Sequence, residues 1–135
     1  MSNLALTLNS DGTEMNVVYT YDHKFVSFYE EFLKSQRTEN TASAYRTDIT
    51  QFFQFTFKKE PQFITLNDML SLTSLEAMAY HNSLKGMKNA TIKRKINAVK
   101  SFLSALKVDY KGINANIFDN INLASVSLDR EGYGN

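Results

Sequence analysis

The chain has 135 residues, 15 Lys and Arg against 14 Asp and Glu, one Pro and no Cys. That length supports one core rather than two domains of ordinary size, and the missing Cys excludes disulfides and thiolate-bound zinc. No apolar run reaches the roughly 18 residues of a membrane span and the N-terminus lacks a basic region followed by an apolar block, so the expectation is a soluble, cytoplasmic protein with no membrane partner.

Residues 1–22 differ from everything after them. Leu4, Leu6 and Leu8 alternate with Ala5 and Thr7, Asn9-Ser10-Asp11-Gly12 supplies turn chemistry, and Met15, Val17, Tyr19 and Tyr21 alternate again. A period of two on both sides of a turn predicts a β-hairpin. Two strands alone are marginal in water, so such a ribbon must pack on the body, pair with another chain or be partly mobile.

From Phe25 to Arg37 the apolar spacing changes to three and four, through Phe25, Phe28, Tyr29, Phe32 and Leu33, with Glu30, Glu31 and Lys34 opposite. This predicts an amphipathic helix. After the polar break Thr38-Glu39-Asn40-Thr41, a second apolar stripe runs through Ala42, Tyr45, Ile49, Phe52 and Phe53 toward Phe57, and Lys58-Lys59-Glu60-Pro61 ends it. Ser43, Thr47, Thr50 and Gln54 lie opposite that stripe, with Arg46 on its flank. Thr65 and Thr73 each stand three residues before an acid, Asp68 and Glu76. The spacing predicts a short helical turn after Thr65 and a helix from Ser74 to about Lys85, opened by a capping box and stopped by Gly86.

The last helix is expected from Asn89 or Ala90, burying Ile92, Ile96, Val99, Leu103 and Leu106. Its polar side carries Lys93, Asn97, Lys100 and Ser104, with Arg94 and Ser101 farther round. Between Lys85 and Lys111 eight basic residues face one acid, Asp109, so this stretch is net +7 and the rest of a +1 chain is net −6. A field polarised in that way attracts polyanions. After Val108 the periodicity fades. Ten Phe, seven Tyr and only five Gly complete the case for a mainly α body. The expected organisation is a hairpin extension over 1–22, a helical domain over 23–110 and a linker or tail over 111–135.

Catalytic chemistry is hard to assemble from these residues. His23 and His81 stand alone, Glu30 and Glu31 point to different azimuths of one helix, and Gly86 is the sole glycine between Gly12 and Gly112, which leaves no phosphate-binding glycine loop. No cofactor and no metal are expected. The basic stripe is the stronger signal. A charge run is commonly a solvated face, but these charges are almost unopposed, are interleaved with short hydrogen-bonding residues and lie partly at a helix start, where backbone N–H groups and the helix dipole favour phosphate. The expected contacts of the last helix are Thr91, Lys93 and Arg94 as phosphate anchors, Asn89 as a further polar contact, and Asn97 and Lys100 deep enough to reach base edges in a major groove. The second helix would add Thr41, Ser43, Arg46 and Thr47.

Four segments in order, FVSFYEEFLKSQ, NTASAYRTDITQFFQF, TSLEAMAYHNSLK and NATIKRKINAVKSFLSAL, resemble the N-terminal core-binding, SAM-like domain of tyrosine recombinases, the phage-type integrases. Thr41, Tyr45 and Asp48 fit the opening of that family's second helix, and Thr91, Ile92, Lys93, Arg94, Val99, Ser101 and Phe102 fit its fourth. The resemblance covers roughly residues 24–108. It implies a four-helix SAM-like bundle that clamps one side of a core recombination site on double-stranded DNA, alongside a catalytic domain and other recombinase protomers. Tyr45 would then be a packing residue with a polar tip, and Asp48 a helix-surface or capping partner.

The family's catalytic set, two Arg, a Lys, a His-x-x-Arg motif and a Tyr, cannot be assembled: only Arg37, Arg46, Arg94 and Arg130 are present, and neither His has an Arg three residues on. Asn116-Ile117 stands where the family commonly has Asn-Pro. The expectation is a DNA-binding domain of an integrase that binds without cutting. The rival is a helical protein-interaction module that uses the basic face to dock on an acidic protein.

Overall fold

The computed structural model describes the backbone of residues 2–8 and 14–121 and the side chains of residues 21–121. Five helices make the body: α1 (His23–Lys34), α2 (Glu39–Phe57), α3 (Leu66–Leu70), α4 (Ser74–Ser83) and α5 (Asn89–Asp109), with a 3-10 turn at Pro61–Phe63. The expected four-helix count is met by α1, α2, α4 and α5, and the turn after Thr65 closes into the additional α3. Ser2–Leu8 (β1) and Glu14–Thr20 (β2) have strand backbone in an antiparallel register with Ser2 opposite Thr20. The turn Asn9-Ser10-Asp11-Gly12 and the ribbon's side chains lie outside the described residues, as do residues 122–135.

Local chemistry sets the helix starts. Asp22 accepts the Phe25 N–H at 3.0 Å as the cap of α1, and its other carboxylate oxygen accepts the Leu66 N–H at 2.9 Å. One side chain thereby caps α1 and ties it to α3. α2 begins earlier than expected. Thr38 is its cap, accepting from the Thr41 N–H, so Glu39 and Asn40 form the first turn instead of a break; the acid there suits the helix dipole. Lys58, at φ 59°, closes α2 in the left-handed region. Both threonine-acid pairs form capping boxes, Thr65 with Asp68 and Thr73 with Glu76. α4 stops at Ser83, two residues short of the expected end, and Gly86 supplies the positive φ, +98°, of the turn into α5.

α5 is the axis of the core. Phe102 sits among four rings of α1, with centroids at 5.2 Å (Phe32), 5.6 Å (Tyr29), 5.9 Å (Phe25) and 6.0 Å (Phe28), and one ring of α2, Phe53 at 6.2 Å. A second aromatic group joins α2 to α4 and to the chain after α5: Phe52 lies 5.1 Å from Tyr80 and 6.3 Å from Phe118. Tyr45 is half-buried and stacks on Phe32 at 6.1 Å, which matches its expected packing role. Packing also continues past residue 110, where a tail was expected to begin, because Ile113, Ile117 and Phe118 are buried in the same core. Lys107 Nζ holds that segment by donating to the carbonyls of Lys111 and Ile113. Among the described residues, no helix is long and apolar enough to cross a membrane.

Candidate nucleic-acid interface

The apolar stripe of α5 consists of Ile92, Ile96, Val99, Phe102, Leu103 and Leu106, all buried. Burying that stripe dictates what faces outward. Asn97 and Ser104 are exposed, Lys93 and Lys100 are half-buried on the same side, and Arg94 is exposed on the flank nearer α2. Lys88, the residue before α5, contributes no side-chain cap. Asn89 and Thr91, in the first turn, are half-buried.

The α2 residues expected at the interface divide between two flanks. Thr47 and Ser43 are exposed, whereas Thr41 is half-buried and receives a hydrogen bond from the Thr38 hydroxyl at 3.0 Å. Arg46 faces α1: Nη1 and Nη2 donate to the two oxygens of Glu30 at 3.0 and 2.7 Å. Those hydrogen bonds hold the Glu30 carboxyl below its ordinary range and raise the guanidinium. Ser43 and Arg46 also line a hollow of about 480 Å³ with Arg37, Thr38 and Ala42 at the α1–α2 corner. Their side of α2 is therefore not the side that meets α5.

Asp48 lies on the side of α2 that meets α5. It is 1% exposed, which corrects the expectation of a helix-surface or capping acid. Arg94 Nε and Nη2 donate to its two oxygens, each at 3.1 Å, and Lys95 Nζ donates to Oδ1 at 3.1 Å and to Gln51 Oε1 at 2.5 Å. Lys95 is itself buried, at 7%. A buried charge must be paired and hydrogen-bonded, and this group meets both conditions. Tyr80 of α4 lies close enough for the Asp48 charge to act on it: burial first, then that charge, pushes its phenol up to about 12.

Gln51, Lys95 and the buried role of Asp48 were not anticipated, although the signal was present. Asp48 stands three residues after Tyr45 and four before Phe52, and Lys95 stands three after Ile92 and four before Val99. Each charge is thus set inside an apolar stripe, and opposite charges in the stripes of two helices that pack together announce a buried pair.

A five-helix body whose last helix is buried on one side and strongly basic on the other defines a small helical domain with a cationic face. No group of metal-ligating side chains occurs among the described residues. Comparison with protein families places it more narrowly: the model for the phage integrase N-terminal SAM-like domain matches residues 26–108, and the chain belongs to that family. The match is to the N-terminal domain and not to a catalytic domain. Curated proteins and solved structures give no match.

Proposed function

We propose that this chain is the DNA-binding part of a tyrosine-recombinase-type integrase. It grips duplex DNA with the outer face of α5 and the exposed start of α2, and it supplies no bond-breaking residue. The observation that carries the reading is that Lys93, Arg94 and Lys100 lie on the outer side of α5, away from the helix's buried apolar stripe. In this role Lys93, Arg94 and Lys100 meet phosphates together with Asn89 and Thr91, Asn97 reaches base edges, and Ser43, Thr47 and Thr41 line the neighbouring backbone. The partners of the whole protein are then double-stranded DNA, a catalytic domain and further protomers on the same site, and its place of action is the cytoplasm. The N-terminal ribbon is an extension outside the matched family region, available to reach other DNA or a neighbouring protomer.

The test is a fluorescence-anisotropy titration against a mixed-sequence duplex over a range of salt. Three phosphate contacts, by Lys93, Arg94 and Lys100, give a slope of log K against log salt of about −2.7, at roughly −0.9 per contact. A slope of about −3.6 means that Arg46 leaves Glu30 to join them. Lys93→Ala weakens binding to all duplexes alike, whereas Asn97→Ala relaxes sequence preference. A slope near zero, or no binding at low salt, removes the DNA reading in favour of docking on an acidic protein.

A further inference from the structure

Arg94 carries a geometry that charge alone does not require. Asp48 already has a cation, because buried Lys95 donates to it at 3.1 Å. Arg94 adds a two-point fork through Nε and Nη2, while its side chain remains 56% exposed against 1% for Asp48. A guanidinium has five N–H donors in a rigid plane. The fork uses one edge of that plane and leaves the two N–H of Nη1 and one of Nη2 on the other. Two cations around one carboxylate also leave one positive charge uncancelled. Gln51, which accepts from Lys95, keeps that ammonium seated on Asp48.

We propose that Asp48 is the positioning residue of the DNA-binding face, holding Arg94 by one edge so that the opposite edge is presented, already oriented, to a phosphate oxygen. The proposal rests on the DNA-binding reading above. A long side chain fixed before binding loses less conformational freedom when the ligand arrives, so a held arginine contributes more than a mobile one. Lys95, sealed beneath Asp48, makes no contact with the ligand and serves to neutralise the acid.

The proposal opposes simple electrostatics in sign. Removing an anion from a cationic surface strengthens attraction to a polyanion, whereas removing the group that aims Arg94 weakens binding. The experiment is anisotropy of the full chain and its Asp48→Asn variant on the same duplex across salt, with circular dichroism to establish folding. The expected result is a loss of about tenfold for Asp48→Asn, as for one charge-assisted contact, with the salt slope shallower by about 0.9. Adding Asp48→Asn to Arg94→Ala then costs no further affinity. Equal or tighter binding by Asp48→Asn, an unchanged slope, or additive losses in the double variant overturn the proposal. Absence of binding by the unmodified chain removes the DNA reading itself, while binding that Asp48→Asn leaves untouched removes only the positioning role.

Should Asp48→Asn fail to fold, nuclear magnetic resonance of the unmodified chain decides. The Arg94 Nε–H is expected to exchange with water far more slowly than that of exposed Arg37, and to keep that protection when DNA is added. Exchange as fast as that of Arg37, or loss of protection on DNA, overturns the proposal.

Discussion

Replacing Tyr80 by Phe isolates one buried hydroxyl without changing the shape of the core. The ring is 2% exposed and packs against Phe52 and Phe55, while its hydroxyl is buried with no hydrogen-bond partner among the described residues. Burial, with the Asp48 charge adding to it, pushes the phenol up to about 12, against an ordinary value near 10. A group whose folded pKa lies above its unfolded value contributes stability in full below the unfolded pKa, and that contribution is lost as pH rises through the window between the two. At pH 11 the loss for this phenol is on the order of 1 kcal/mol, rising toward about 3 kcal/mol above pH 12. Urea denaturation of the unmodified chain and Tyr80→Phe at pH 8 and pH 11 measures it as a double difference, in which titrations common to both proteins cancel. Tyr80→Phe is expected to lose on the order of 1 kcal/mol less between the two pH values. At pH 8 it is expected to be as stable or more so, because an unpaired buried hydroxyl costs about 1–3 kcal/mol. Equal losses in the two proteins would refute the burial argument and mean that water reaches the phenol.

Phe102→Ala removes the ring that five aromatic side chains share and is expected to cost about 3–5 kcal/mol in denaturant unfolding, enough to threaten a domain of this size. Arg46→Ala breaks an ion pair whose two side chains are 50% and 40% exposed, so thermal unfolding is expected to report a loss of at most about 1 kcal/mol, smaller still at acid pH where Glu30 protonates. Asp22→Ala removes the acceptor for both Phe25 and Leu66, and a loss of about 1–2 kcal/mol is expected. Hydrogen exchange should place its effect at the starts of α1 and α3 together, whereas a change confined to α1 would mean that the long-range cap carries nothing.

What could be read before folding was the local part. The boxes at Thr65 and Thr73 depend on residues three apart, and Gly86 marks a turn because glycine takes a positive φ without strain, so both follow from the local sequence. The stripes of α1, α2 and α5 follow from period. The start of α2 was misplaced because Thr38 serves equally as a turn residue and as a cap, and only the acceptance of the Thr41 N–H decides between them. Ile113, Ile117 and Phe118 escaped because irregular chain has no period, even though burial makes them core. Asp48 was taken as surface because carboxylates usually are; its partners lie 46 and 47 residues away along the chain, a distance that no local pattern reports.

Those distant partners also change what the basic stretch means. Counted along the sequence, eight cations between Lys85 and Lys111 look like one undivided charge. The fold sorts them. Lys95 is buried against Asp48 and Gln51, and Lys107 is engaged with carbonyls beyond the end of α5. Lys85 and Lys88 precede α5, and Lys111 follows it. Lys93, Arg94 and Lys100 remain along the helix itself, and Arg94 is oriented by a buried acid. Net charge therefore accounts for attraction to a polyanion, whereas register on a duplex has to come from the few groups whose direction the core determines. In this domain the core supplies such a direction at Arg94, whose two-point fork rests on the buried carboxylate of Asp48.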